Sequence, residues 1–383
     1  MLAASSDVPV TYSGQIADIF NRRCVVCHRE GEVAPFVLTD YRTARRHAAM
    51  IREVVQQRRM PPWNANPEFG HFANANELTE AERQAIDKWV ESGAPVGDHD
   101  FVPDLPSFPT GWKTSGNPDL VVDVSEKPFE VPANEVLDYQ FFTVDLGFKE
   151  DRWVKETQVI PGNRRVVHHV GVALKPPRGW RGDRSHISAV VAGYVPGAGF
   201  TRCPESSGFF IPAGSKLLVT MHYTPIGVEQ LDQTKIGFVF ADEKTIDHSI
   251  VYRWIVDRAL DIPPHEDRYV SRGTWIWPSS NARLLSMQTH MHLRGKSISV
   301  FADFPNGTSE CLLDVPTYRF DWQWVYELQT ARKFPKGTVM RSVAIFDNSA
   351  DNPANPDPNA RVRWGRQTSD EMLMVCFGLM QPR

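Results

Sequence analysis

No run of eighteen apolar residues occurs anywhere in the 383-residue chain, so no transmembrane helix is expected. Charge of one sign is also lacking. The 42 Lys and Arg nearly balance the 46 Asp and Glu, and a net charge of -4 gives no footing for nucleic acid or a strongly charged membrane surface. There is no biased tract and no repeat of fixed period. Cysteine is sparse. Two of the five lie in Cys24-Val25-Val26-Cys27-His28, and Cys203, Cys311 and Cys376 admit at most one disulfide, so the redox compartment has to be read from other residues. Met1-Leu2-Ala3-Ala4-Ser5-Ser6 carries neither a charged n-region nor a long apolar stretch, which leaves a trimmed leader or a cytoplasmic chain as the expectations.

What is present is aromatic and proline-rich, with Trp 11, Phe 21 and Pro 29, in a length that suits two or three domains. Residues 1–104 read as a small all-α domain. Ser13 to Arg23 places Ile16, Ile19 and Phe20 on one stripe. Thr39 or Asp40 can cap a long helix running to about Arg58, with Ala44, Ala48, Ile51 and Val55 at helical spacing. Leu78-Thr79-Glu80-Ala81-Glu82 has a capping-box pattern before Ile86, Trp89 and Val90, and Gly93 offers the stop.

Asp100 to Pro118 reads as a linker. Beyond it short strands alternate with turns: Leu120–Val124, Val136–Asp145, Val166–Leu174, Lys216–Tyr223, Lys235–Ala241, Ile250–Val256, Leu284–His292, Ser297–Ala302, Thr338–Phe346 and Met372–Gly378. This pattern predicts two all-β sandwich domains, 118–260 and 270–383, with the boundary near Asp261–Arg272.

Cys24-x-x-Cys27-His28 is the attachment signature of c-type haem: the thiols form thioethers to the vinyl groups and His28 falls under the iron. Residues 1–104 are therefore expected to be a c-type cytochrome domain with one covalent haem c. Met60, stiffened by Pro61-Pro62, is the expected sixth ligand, with Met50, His47 and His71 as competitors. Arg42, Arg45, Arg46, Arg52, Arg58 and Arg59 form a basic run, read either as a solvated face or as partners for haem propionates or a redox protein.

The β-rich part carries clustered histidines. In Thr289-His290-Met291-His292, alternation sends His290 and His292 to one face of a strand. In Val167-His168-His169-Val170 the two imidazoles can meet one metal only at a bulge or a strand end. Met221-His222-Tyr223 adds a fifth imidazole on a later strand. Each alone suits an ordinary buried histidine; together, in apolar strands where unpaired imidazole is costly, they point to metal. His99, His186, His248 and His265 have no partner motif, and the glycine loop 193–199 lacks a phosphate-binding frame. The Asn- and Pro-rich stretch 346–368 reads as a surface loop or as the rim of a substrate mouth.

The order His168-His169, His222, His290-x-His292, then Asp370-Glu371-Met372 resembles the copper type II, ascorbate-dependent monooxygenases, among them the peptidylglycine α-hydroxylating and dopamine β-monooxygenases. The resemblance spans roughly residues 118 to 380. It implies two jelly-roll-like sandwiches, each with one copper: His168, His169 and His222 on an electron-transfer copper, and His290, His292 and Met372 on an oxygen-activating, catalytic copper. Met374 is the alternative thioether. Two departures stand out. Gln288 occupies the place where peptide-amidating members have an arginine for the substrate carboxylate, and only three cysteines lie in the β-rich part; a peptide ending in glycine is not the expected substrate.

The expected function is hydroxylation of a C–H bond of an unidentified small organic substrate with O2, the haem relaying electrons from an external donor to the coppers. The alternatives are a copper and haem dehydrogenase or oxidase passing electrons outward, and a non-catalytic electron-transfer or copper-binding protein. Haem attachment outside the cytoplasmic membrane in the families resembled makes a bacterial periplasmic or secreted location the expectation.

Overall fold

The computed structural model describes residues 9–109, 111–135 and 137–383; residues 1–8 and Val136, the first residue of an expected strand, lie outside the described residues. The chain divides into two compact units, one of Met1–Trp63 with Asn76–Thr110 and one of Asn64–Ala75 with Gly111–Arg383.

Among the described residues the first unit has four α-helices, α1 (Ala17–Arg23), α2 (Tyr41–Arg46), α3 (Ala48–Gln56) and α4 (Glu80–Glu91). A π-turn over Tyr12–Ile16 leads into α1. Asp40 caps α2 by accepting from the Thr43 N–H at 2.8 Å. The long helix expected to run on from there is broken at His47, whose backbone leaves helical geometry (φ -100, ψ 8) and whose ring stacks on Phe36 at 4.0 Å. The capping box of α4 is formed, with Thr79 and Glu82 bonding each other's backbone. Ile16, Phe20, Ile51, Ile86 and Trp89 close the core of this unit.

The second unit is built on β-strands, with short 3-10 turns at Arg184–His186 and Glu243–Thr245. Its largest sheet has nine strands. In hydrogen-bonded order the path is Leu120–Asp123, Lys235–Ala241, Arg152–Ile160, Ser207–Ile211, His248–Val256, Met374–Pro382, Arg283–His290 and Val325–Lys333, with Phe200–Arg202 paired at the side. A four-stranded sheet, Gln140–Asp145, Lys216–Tyr223, Val167–Lys175 and Val190–Tyr194, shares one apolar core with the first half of that path, through Val154, Phe209, Phe238, Val170, Leu217 and Met221. A second four-stranded sheet, Tyr269–Ile276, Val339–Phe346, Gly295–Asp303 and Ser309–Val315, faces the other half, where Trp275 stacks on Phe377 at 5.7 Å. Two layered sandwiches result, as the strand pattern predicts.

The sandwiches are not separated at Asp261–Arg272. His248–Val256, before that point in the chain, pairs antiparallel along its whole length with Met374–Pro382, after it, so one sheet runs through both. Residues 64–75, expected within the helical domain, join this β unit: Asn66 donates to the Asp314 carbonyl, Ala73 to the Glu327 carbonyl, and Gln329 to the His71 carbonyl. Among the described residues no helix is long and apolar enough to cross a membrane.

Candidate metal centres

Val167–Lys175 and Lys216–Tyr223 are adjacent antiparallel strands in which His169 faces His222 directly. The register slips between Val167 and His169. That bulge at His168 is what lets two consecutive histidines serve one site, since a regular strand would send them to opposite faces. Ligand atoms of His168, His169 and His222 all lie within 4.8 Å of one another. The Nδ1 atoms of His168 and His169 approach to 3.0 Å, and His222 Nδ1 is buried with no hydrogen-bond partner. A buried imidazole nitrogen left without a partner costs free energy, which a cation among the three rings would recover. Burial holds all three below the ordinary histidine value, His222 down to about 4, so their lone pairs stay free of protons at neutral pH. Tyr139, missed by the sequence reading, packs its ring 5.0 Å from His222 and 5.5 Å from His169. Its buried hydroxyl also has no partner.

The second cluster sits where Arg283–His290 ends. His290 and His292 have ring centroids 5.0 Å apart at 85°. His290 Nδ1 lies 2.7 Å from Gln323 Oε1, and His292 Nδ1 lies 3.1 Å from the Asp370 carbonyl. Both partners only accept, so each imidazole carries its proton on Nδ1 and keeps the Nε2 lone pair for a metal. Burial depresses both, His290 to about 4.

Both candidate thioethers are near. Met374 is the cross-strand partner of His290 at the end of the paired register, and Met372 lies two residues before it, just outside the strand. Met372 has the stronger tie. Glu371 Oε2 accepts from the His292 N–H at 2.8 Å and from the Met372 N–H at 3.0 Å, while Oε1 accepts from the Arg294 N–H at 2.7 Å. One fully buried carboxylate thus clamps the segment of His292 to that of Met372. Burial pushes that carboxyl up to about 7, against the pull of the three N–H bonds and the Arg294 guanidinium. Sequence reading had placed Glu371 in a motif without a role.

In the first unit the Cys24–His28 segment closes a helical turn, His28 N–H donating to the Cys24 carbonyl at 2.9 Å. Positions i, i+3 and i+4 share a face, so both thiols and the imidazole lie together. His28 Nδ1 is 3.0 Å from the Phe36 carbonyl, which fixes its proton there and frees Nε2, the polarity that haem iron requires. Burial raises the two thiols, to about 12 for Cys24 and about 11 for Cys27. Met60 is half-buried in the turn after α3, its N–H donating to the Val54 carbonyl. Of its competitors, Met50 is exposed on α3, His47 stacks on Phe36, and His71 belongs to the β unit.

Other sequence candidates resolve into structure. Arg52 pairs with Asp87 and Glu91, and Arg59 with Glu53, whereas Arg42, Arg45 and Arg46 line an open surface concavity with no ion-pair partner among the described residues. In the 346–368 loop, Asn348 is fully buried, accepts from Arg294 Nε and donates to the Pro263 and Ala360 carbonyls, so the loop root is a fixed part of the core. His186 is bonded to Ser249 Oγ and lies 3.4 Å from Asp183, but Ser249 is fully buried, which denies a substrate carbonyl access to it. All five cysteines are unpaired.

No protein-family model matches the chain, and no curated protein matches it. Among solved structures it is similar to the major capsid protein P2 of bacteriophage PM2 at 9% identity, covering 69% of this chain and 97% of that one, with a TM-score of 0.28. It is also similar to the STIV MCP (5% identity, 68% and 96% covered, TM-score 0.28) and to PNGF-II (8% identity, 69% and 65% covered, TM-score 0.28). Likenesses this distant carry no functional argument.

Proposed function

We propose that this chain is a copper-dependent monooxygenase that hydroxylates a C–H bond of a small organic substrate with O2, supplied with electrons through a covalent haem c. The observation that carries the reading is the convergence of five imidazoles, distant in sequence, into a cluster of three and a pair, all kept neutral by burial. The ordered motifs that resemble the copper type II monooxygenases name the metal and the chemistry.

His168, His169 and His222 would hold one copper, His290, His292 and Met372 the other, and Cys24, Cys27 and His28 the haem, with Met60 as its expected sixth ligand. Bound there, copper and haem supply one-electron chemistry, and the thioether favours the cuprous state that meets O2. The protein's own contribution is preorganisation. Gln323 and the Asp370 carbonyl fix two imidazole tautomers, Glu371 holds His292 to Met372, and burial keeps all five rings neutral. Overall, one atom of O2 enters the C–H bond and the other leaves as water, which consumes two electrons and two protons from an external donor. Formation of the haem thioethers outside the cytoplasmic membrane makes a periplasmic or secreted location part of the same proposal.

The test needs no substrate identity. Full-length protein, with its haem reduced by dithionite and excess reductant removed, is mixed with O2 in copper-loaded and copper-free forms. Reoxidation dependent on copper supports the relay; equal rates in the two forms refute it. Once a substrate is in hand, 18O2 must place label in the product, and unlabelled product would instead favour a dehydrogenase or oxidase.

A further inference from the structure

Between the strands Ser309–Val315 and Val325–Lys333, a short segment reaches both candidate centres. Tyr318 anchors it: its hydroxyl donates to the Met291 carbonyl at 2.8 Å and accepts from the Met291 N–H at 3.0 Å, between the two histidines of the second cluster. The Phe320 ring lies 6.0 Å from the His222 ring and 5.9 Å from the His292 ring, one imidazole from each centre. Those two rings are therefore no further apart than the sum of the two distances. Asp321 and Trp322 line a cavity of about 10 Å³ with His168 and His169, close to the least space one water needs. The far end is tied down by Gln288, whose amide donates to the Gln323 carbonyl at 3.2 Å.

The hydrogen-bond polarity within this segment has one solution. The Phe320 carbonyl can only accept, and Gln323 Nε2 lies 3.1 Å from it, so the amide nitrogen must face Phe320. Gln323 Oε1 is then the atom turned to His290 Nδ1, at 2.7 Å, and it can only accept. The proton is fixed on His290 Nδ1 and the lone pair on Nε2. The backbone of the residue whose ring touches both centres therefore sets, through Gln323, the tautomer of a ligand in one of them.

We propose that Tyr318–Gln323 is a positioning strap shared by both centres, in which Gln323 sets the metal-binding tautomer of His290 and Phe320 couples the His222 side to the His292 side. The proposal rests on the two-centre reading given above. It goes beyond it by assigning positioning roles to Gln323 and Phe320, neither of which is a ligand.

Metal-free full-length protein is titrated with Cu(I) against a chromophoric Cu(I) chelator, the wild type beside Gln323→Leu, Gln323→Glu and Phe320→Leu. Loss of an outer partner of a metal-bound histidine costs 10–100-fold in affinity as a rule, so Gln323→Leu should weaken one copper equivalent by about that factor and spare the other. Gln323→Glu keeps an acceptor for Nδ1 but loses the donor to the Phe320 carbonyl, so it should recover part of the affinity. In the wild type, filling the tighter site should change the affinity of the other several-fold, and Phe320→Leu should abolish that change. Unchanged affinities in Gln323→Leu, or independent wild-type sites, would each overturn the strap while leaving two copper centres standing. A wild type that takes up no copper overturns the two-centre reading and the strap with it. Should Gln323→Leu fail to fold, 15N NMR of the metal-free wild type decides: His290 must be the Nδ1–H tautomer, and the Nε2–H tautomer refutes the assignment.

Discussion

Replacing Glu371 by glutamine changes one oxygen into an NH2 group at constant shape, in a place where three backbone N–H groups already point. The carboxylate accepts from His292, Arg294 and Met372 at 2.8, 2.7 and 3.0 Å and has no exposure to solvent. The amide keeps one acceptor, so at least one of these buried donors loses its partner. Orphaning a buried donor costs about 1–3 kcal/mol, and hydrogen bonds to charged groups are worth about 1.5–3 kcal/mol each. Arg294 is affected as well. Its guanidinium is buried with neutral partners, Asn348 and the Ser369 carbonyl, and loses the nearby carboxylate charge. A loss of roughly 2–5 kcal/mol in unfolding free energy is expected from these terms. Guanidinium unfolding of the metal-free variant measures it, and Cu(I) titration should show one weakened equivalent, because His168, His169 and His222 stand on other strands. A variant within about 0.5 kcal/mol of the wild type, the range of ordinary surface substitutions, that binds both coppers normally would refute the clamp.

Four further outcomes are expected. His222 and His290 are depressed to about 4 in the fold, so the unfolded chain binds protons more readily below the ordinary value of about 6.5. Each of these two groups should cost metal-free protein about 1.4 kcal/mol per pH unit as pH falls from there toward 4, partly offset by Glu371, whose raised carboxyl takes up a proton in the fold over the same range, as read by unfolding at stepped pH; stability that does not fall contradicts the burial argument. Met372→Leu should remove sulfur from the copper X-ray absorption signal while Met374→Leu leaves it, and the reverse result would reassign the ligand. Tyr139→Phe deletes a buried hydroxyl that has no partner and should stabilise the metal-free protein by about 1 kcal/mol; a loss of stability would reveal a partner for that oxygen. Cys24→Ala with Cys27→Ala should leave no haem attached on a denaturing gel, and retained covalent haem would exclude the proposed linkage.

Much of the β framework was legible because strands such as Lys216–Tyr223 are short, apolar-rich runs whose burial alternates against a single core. Arg152–Ile160 escaped because it lies inside the wide sheet and buries Glu156, Thr157 and Gln158, each satisfied by partners remote in sequence, so its polarity reads as loop. Val325–Lys333 escaped at the edge of that sheet, where Glu327, Arg332 and Lys333 face outward or pair across strands. The unbroken spacing of Ala44, Ala48, Ile51 and Val55 concealed a break at His47, since periodicity does not register a ring stacked on a distant Phe36.

The site shows the same division. The histidine pairs stood out by spacing, and alternation required either a bulge or a strand end for His168 and His169 to share one metal; the register has the bulge. Gln323, Phe320 and Tyr139 did not stand out, because their meaning lies in contacts across strands far apart in the chain. Glu371 stood in view beside Met372, but its three N–H donors belong partly to His292 and Arg294, dozens of residues away.

The most direct measurement is the metal content of the purified holoprotein, copper against haem iron, with X-ray absorption at the copper edge on the reduced form. The account predicts two coppers for each haem, nitrogen ligation at both and one sulfur neighbour shared out over the pair. A haem-loaded protein with fewer than two coppers after reconstitution, or two coppers with no sulfur, would contradict it.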